Sequence, residues 1–88
     1  MKFVYTRHAE EKLTEREPKE FGITKVKIQE IIQRPQTIDT SDKPILMATG
    51  EFDTEHSLCV VYKYIQEKII IITFFPAKKG RYESKILS

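Results

Sequence analysis

Tryptophan is absent from this 88-residue chain, and cysteine occurs once, at Cys59. A single cysteine excludes an internal disulfide, and inside an apolar run it behaves as a small core residue unless a neighbour activates its thiol. Glycine is scarce: Gly22, Gly50 and Gly80 stand far apart, which excludes a glycine-rich phosphate loop. His8 and His56 are the only histidines, so no zinc-ligand spacing occurs, and no cofactor motif is present. No apolar run reaches membrane-spanning length, and Met1 to Arg7 lacks the apolar segment of a secretory signal. The expectation is a cytoplasmic protein with no membrane partner and no cofactor. An excess of charge of one sign is missing too: 15 Lys and Arg face 13 Asp and Glu, a net +2. The placement of charge therefore carries more information than its sum.

What is present suits one domain over residues 1–88, with enough hydrophobic residues, 40%, for one core shared by a sheet and helices. The most apolar stretch is Lys68 to Phe75, rich in β-branched residues, which reads as a central strand covered on both sides. Pro76 is expected to stop it. Lys78, Lys79 and Arg81 then follow in a basic loop, and Lys85 adds to a C-terminal segment with Glu83 as its one acid. Such a segment suits an anionic partner or a solvated tail.

In chain order, Lys2 to Tyr5 reads as an edge strand or a lead-in. Thr6 is a helix N-cap, and a helix is expected from about Arg7 to Glu17, ended by Pro18. Ala9 and Leu13 mark its buried side. His8, Lys12 and Arg16 are spaced by four and form one cationic stripe beside it. Lys19 to Phe21 reads as a loop. Thr24 caps a second helix whose apolar stripe is Ile28, Ile31 and Ile32, with Ile23 as a staple, and Arg34-Pro35 closes it. Gln36 to Lys43 reads as a loop or short edge strand and Pro44 to Phe52 as a strand in which Gly50 marks a bulge or a close approach. Ser57 to Ile65 alternates as a strong strand, with Leu58, Val60, Tyr62 and Tyr64 facing one way. Gln66-Glu67 connects it to Lys68, and Arg81 to Leu87 can add a last strand. The fold expected is α+β: two N-terminal helices on one face of a three- to four-stranded, mostly antiparallel sheet.

One chemical constellation stands out. Cutting RNA with side chains needs a base for the 2′-hydroxyl proton, an acid for the leaving oxygen and cations for the charge gathering on phosphorus. His8 can act as base or acid, and Lys12, Arg16, Lys78, Lys79 and Arg81 can supply charge. Tyr62, Tyr64 or Tyr82 can stack on a base or donate a proton. The same residues also read as a wet helix face, an exposed loop and half-buried strand aromatics. His56 falls in a turn and carries no assigned role. Thr73, a polar residue among isoleucines and phenylalanines, needs a partner for its hydroxyl.

His8-Ala9, Arg16, Gly22-Ile23-Thr24, Val26, the isoleucines of the second helix and Pro35 resemble the front half of the small DUF4258 proteins. Cys59-Val60-Val61-Tyr62 and Ile72 to Pro76 resemble the back half, so the likeness covers most of the chain as a single domain. It implies a fold similar to RelE/ParE-type toxins and related small RNases, many of which cut RNA without metal and are held by a separate antitoxin. Carried over by position, the family histidine falls on His8, its arginine on Arg16, its strand threonine on Thr73, and its basic residues after the last long strand on Lys78, Lys79 and Arg81. Two departures matter. Lys12 stands where an arginine is frequent, which keeps the charge but loses the guanidinium fork. Glu17 to Phe21 looks like an insertion.

The leading expectation is thus a toxin-type, metal-independent endoribonuclease, with His8, Arg16, Thr73 and Arg81 catalytic and Lys12, Lys78, Lys79 and Tyr82 binding nucleic acid. The alternatives are a nucleic-acid- or partner-binding domain without catalysis and an interaction protein that pairs through a sheet edge. RNA and an antitoxin are the partners implied. Oligomeric state is left open.

Overall fold

The computed structural model describes residues 1–79. The expected last strand from Arg81 to Leu87, and with it Arg81 and Tyr82 as site residues, lies outside the described residues. The chain runs β1 (Lys2–Tyr5), α1 (Arg7–Leu13), α2 (Arg16–Phe21), α3 (Lys25–Gln33), β2 (Thr37–Asp42), β3 (Ile45–Glu51), β4 (His56–Ile65) and β5 (Lys68–Lys78). The sheet has five strands in the order β1-β5-β4-β3-β2. Strands β2 to β5 form an antiparallel meander, whereas β1 lies parallel to β5, pairing Lys2 with Lys68 and Tyr5 with Ile71. The class is α+β as expected. Among the described residues its details are corrected from two helices and three or four strands to three helices and a five-stranded mixed sheet.

Three local readings change with it. The first helix ends early: Thr14 caps α1, its hydroxyl donating to the Glu11 carbonyl at 2.7 Å, and a new helix starts at Arg16. Pro18 is a first-turn residue of α2, where a proline costs no hydrogen bond, so it does not terminate a helix there. The residues expected as a loop up to Phe21 are helical, and Gly22 closes α2 at φ 78°, a left-handed angle that glycine adopts freely. Pro76 does not stop β5, which runs on to Lys78. Pro76 lies beyond Ile71, the last β1 partner, so among the described residues that side of β5 is an edge, where a missing N–H leaves no gap in the ladder.

The central strand of the five is β4. Leu58, Val60 and Tyr62 are buried as expected, together with Ile69, Ile71 and Phe74 of β5 and Ala48 of β3, whereas Tyr64 is half exposed and Cys59, between Leu58 and Val60, is buried as well. Ala9 of α1 and Ile28, Ile31 and Ile32 of α3 close on them, with Leu13 and Phe21 packed alongside. All three helices thus serve one face of the sheet. Thr24 caps α3, accepting from the Lys27 N–H at 3.2 Å. Gly50 is the close approach anticipated from its sequence context: a Cβ there would stand 2.6 Å from Ile31 Cδ1. Among the described residues no helix is long and apolar enough to cross a membrane.

Candidate functional site

The site begins with a defect in a strand. Strict alternation from Ile69 and Ile71 would turn Thr73 into the core and Phe74 out of it. The pairing instead slips between Val61 and Tyr62: Tyr62 stands opposite Ile71, Val61 opposite Thr73 and Val60 opposite Phe74. One extra residue, Ile72, is absorbed as a β-bulge. Phe74 therefore returns to the core at 0% exposure. Thr73 shares its row with Val61, on the face that carries no helix.

Thr6 then fixes α1 against this bulge. Its hydroxyl donates to the Ile72 carbonyl at 3.1 Å and accepts the Ala9 N–H at 3.1 Å, and its own N–H bonds to the Ile71 carbonyl at 3.0 Å. The chain thus leaves β1 beside β5 and enters α1 along the edge of β5 that β1 no longer occupies. Two residues along the helix, and one turn further, His8 and Lys12 reach the same hydroxyl. His8 Nε2 lies 3.3 Å from Thr73 Oγ1, and Lys12 Nζ donates to that oxygen at 3.4 Å. The Lys12 ammonium also stands 5.4 Å from the Phe74 ring centroid and 5.9 Å from that of Phe75. It is half-buried, and among the described residues it enters no ion pair with a carboxylate. A lysine held by a neutral hydroxyl and ring faces has no carboxylate to displace before it meets an anion.

A ~400 Å³ groove opens beside Lys12, between the α1–α2 corner and the end of β5. Glu15, Arg16, Glu17 and Pro18 line it from the helices, and Phe75 and Pro76 from the strand. Arg16 is not continuous with the His8–Lys12 row, because the helix has broken. Its Nε is bonded to Glu20 at 2.9 Å, and its side chain is 92% exposed. Such a pair is weak, so Arg16 can exchange Glu20 for another anion at little cost.

Lys78 and Lys79 sit elsewhere. Lys78 is the β5 partner of His56, about 16 Å along the strand from Thr73. The Lys79 ammonium is 3.3 Å from a Glu51 oxygen, and its N–H bonds to the Glu55 carbonyl. The structure therefore brings together His8, Lys12 and Thr73, leaves Arg16 at the rim, and places Lys78 and Lys79 at the C-terminal end of β5, beyond Pro76. His56 has a structural place. Asp53 accepts from its ring Nδ1 at 3.0 Å, from its N–H at 2.7 Å and from the Glu55 N–H at 2.8 Å, and the ring meets Phe21 edge-on. Tyr62 is core, and burial pushes its phenol up. Burial likewise pushes up the Cys59 thiol, only partly offset by the Thr49 hydroxyl donating to it.

His8, Lys12 and Thr73 are each legible in the sequence as candidates, but the device that joins them is not. A bulge inside an isoleucine run has no composition signal, and Thr6 was legible as a cap but not as the tie to Ile72. Among the described residues no three of His, Cys, Asp and Glu gather as a metal-ligand set. No protein-family model, no curated protein and no solved structure matches the chain.

Proposed function

We propose that the His8–Thr73–Lys12 cluster engages an RNA phosphate and that the chain is an endoribonuclease acting by side-chain acid–base chemistry, similar to the RelE-type toxins. The observation that carries the reading is the single hydroxyl shared between an imidazole at 3.3 Å and an unneutralised ammonium at 3.4 Å. A phosphodiester entering this edge would meet the Lys12 charge at a non-bridging oxygen. His8 would take the proton of the 2′-hydroxyl, whose oxygen attacks phosphorus. The bond to the 5′-oxygen breaks, that oxygen takes a proton from solvent, and a 2′,3′-cyclic phosphate remains. Thr73 would hold the imidazole in place, and Arg16 would swing from Glu20 onto a neighbouring phosphate. An antitoxin partner belongs to the same reading.

Incubating the purified protein with single-stranded RNA in EDTA tests it. Wild type should release fragments with cyclic phosphate ends, and His8→Ala should cut at least ~100-fold more slowly. Intact RNA rejects catalysis, and equal cutting by His8→Ala rejects this mechanism. The exposure of His8 at an open edge, rather than in an enclosed pocket, favours a second reading in which the cluster binds RNA without cutting it. That reading predicts retention of labelled RNA that weakens with salt while its length stays unchanged.

A further inference from the structure

Three lysines occupy the helix-free face of the sheet on the side of Thr73 that points away from Lys78. Core packing of Phe3, Tyr5, Tyr62, Ile69 and Ile71 turns Lys2, Lys63 and Lys68 to the opposite face. Lys2 is the direct parallel partner of Lys68, with strands about 4.8 Å apart. Lys63 is paired with Ile70, one row nearer to Thr73. Two like charges in register oppose folding unless an acid lies between them. Here none does: among the described residues Lys2, Lys63 and Lys68 form no ion pair. By contrast, Lys25, Lys27 and Lys79 each have a glutamate. An arrangement that costs stability and has no counter-charge among the described residues suits an anion from outside.

We infer that these three lysines are the second half of the nucleic-acid site, so that a single RNA strand runs from the His8–Thr73–Lys12 cluster down the helix-free face over Ile70 to Lys63, Lys68 and Lys2. The inference rests on the reading that the cluster holds an RNA phosphate. Thr73 and Lys68 are separated by about 16 Å of β5, a span that several successive phosphates bridge and a single mononucleotide does not. The occupant is a nucleic-acid strand rather than a lipid surface because, among the described residues, Ile65, 45% exposed, and Met1, next to Lys2 in the chain, are the large exposed apolar side chains near this patch. That is too little to insert below headgroups. The direction also differs from the one the basic sequence after Phe75 suggests, where Lys79 is paired with Glu51 and Lys78 alone is exposed with no ion pair among the described residues.

The test is anisotropy of a fluorescent single-stranded RNA, 2′-O-methylated throughout so that it is not cut, titrated with full-length protein at several salt concentrations. The triple variant Lys2→Gln/Lys63→Gln/Lys68→Gln should bind at least ~10-fold more weakly at low salt. Its salt slope should fall by about two, as expected for three lost single-strand phosphate contacts. Lys43→Gln, an exposed lysine of the β2–β3 turn, should bind as wild type does. The triple variant should unfold at an unchanged or higher urea concentration, because the Lys2–Lys68 repulsion is gone, which separates lost binding from lost fold. If wild type and triple variant bind alike while His8→Ala or Lys12→Gln weakens binding, the path is wrong and the cluster reading stands. If wild type does not bind RNA, both fall. A loss confined to Lys78→Gln and Lys79→Gln sends the strand the other way and overturns the inference. So does lysine-dependent binding to phosphatidylserine vesicles without lysine-dependent RNA binding.

Discussion

Thr73 is where the account is most exposed to test. Its oxygen accepts from Lys12 and contacts His8, so removing it frees two side chains that otherwise hold each other in place. Thr73→Val keeps the shape and removes the hydroxyl. Cleavage should fall about tenfold or more, less than with His8→Ala, with stability changed by under ~1 kcal/mol because the site is only half-buried. Thr73→Ser should restore most of the rate. Asp53 offers a residue-scale check on structure alone. The Glu55 N–H, chiefly, and the His56 ring and N–H hold its carboxyl below the usual range. A lowered folded value means that Asp53 stabilises the turn above the ordinary carboxylate pKa, and that this contribution is lost as pH falls through the lowered value. Urea midpoints of wild type and Asp53→Asn should therefore differ at neutral pH and converge in acid. A difference that grows on acidification would contradict the assignment.

At the scale of elements, the packing of α3 on β3 turns on one missing side chain. Gly50→Ala sets a methyl 2.6 Å from Ile31 Cδ1, an atom that Ile31→Val deletes. Gly50→Ala alone should cost ~1–2 kcal/mol and Ile31→Val alone ~1 kcal/mol. Together they should cost clearly less than the sum, as urea unfolding of the four proteins will show. Simple additivity would mean that the contact is not the constraint. The same scale separates what could be read in the sequence from what could not. α3 was legible because Thr24, Ile28, Ile31, Ile32 and Pro35 all agree on it, and β4 because Leu58 to Ile65 is rich in valine and tyrosine with no glycine or proline to break it. Pro18 and Pro76 misled, since proline reads as a terminator only where an N–H is needed. Pro18 lies in a first helical turn and Pro76 on an edge. The bulge at Ile72 was invisible because it is a property of the pairing with β4 and not of the run itself.

Over the whole molecule, the first strand and the last described strand lie side by side, although a meander joins everything between them. That parallel pairing is what brings His8 and Lys12, near the start of the chain, to Thr73, near its end. Sequence alone named these residues and could not join them, because the closure depends on β1 adding to the far side of β5. The same closure lays Lys2 beside Lys68 and extends the basic surface along one strand. The most direct measurement uses the chain's two imidazoles as reporter and control. In a ¹⁵N side-chain NMR titration with uncleavable single-stranded RNA, His8 Nε2 and the Thr73 signals should shift saturably, while His56, held by Asp53, stays still. An unmoved His8, or a shift confined to His56, would contradict the placement of the phosphate at this cluster.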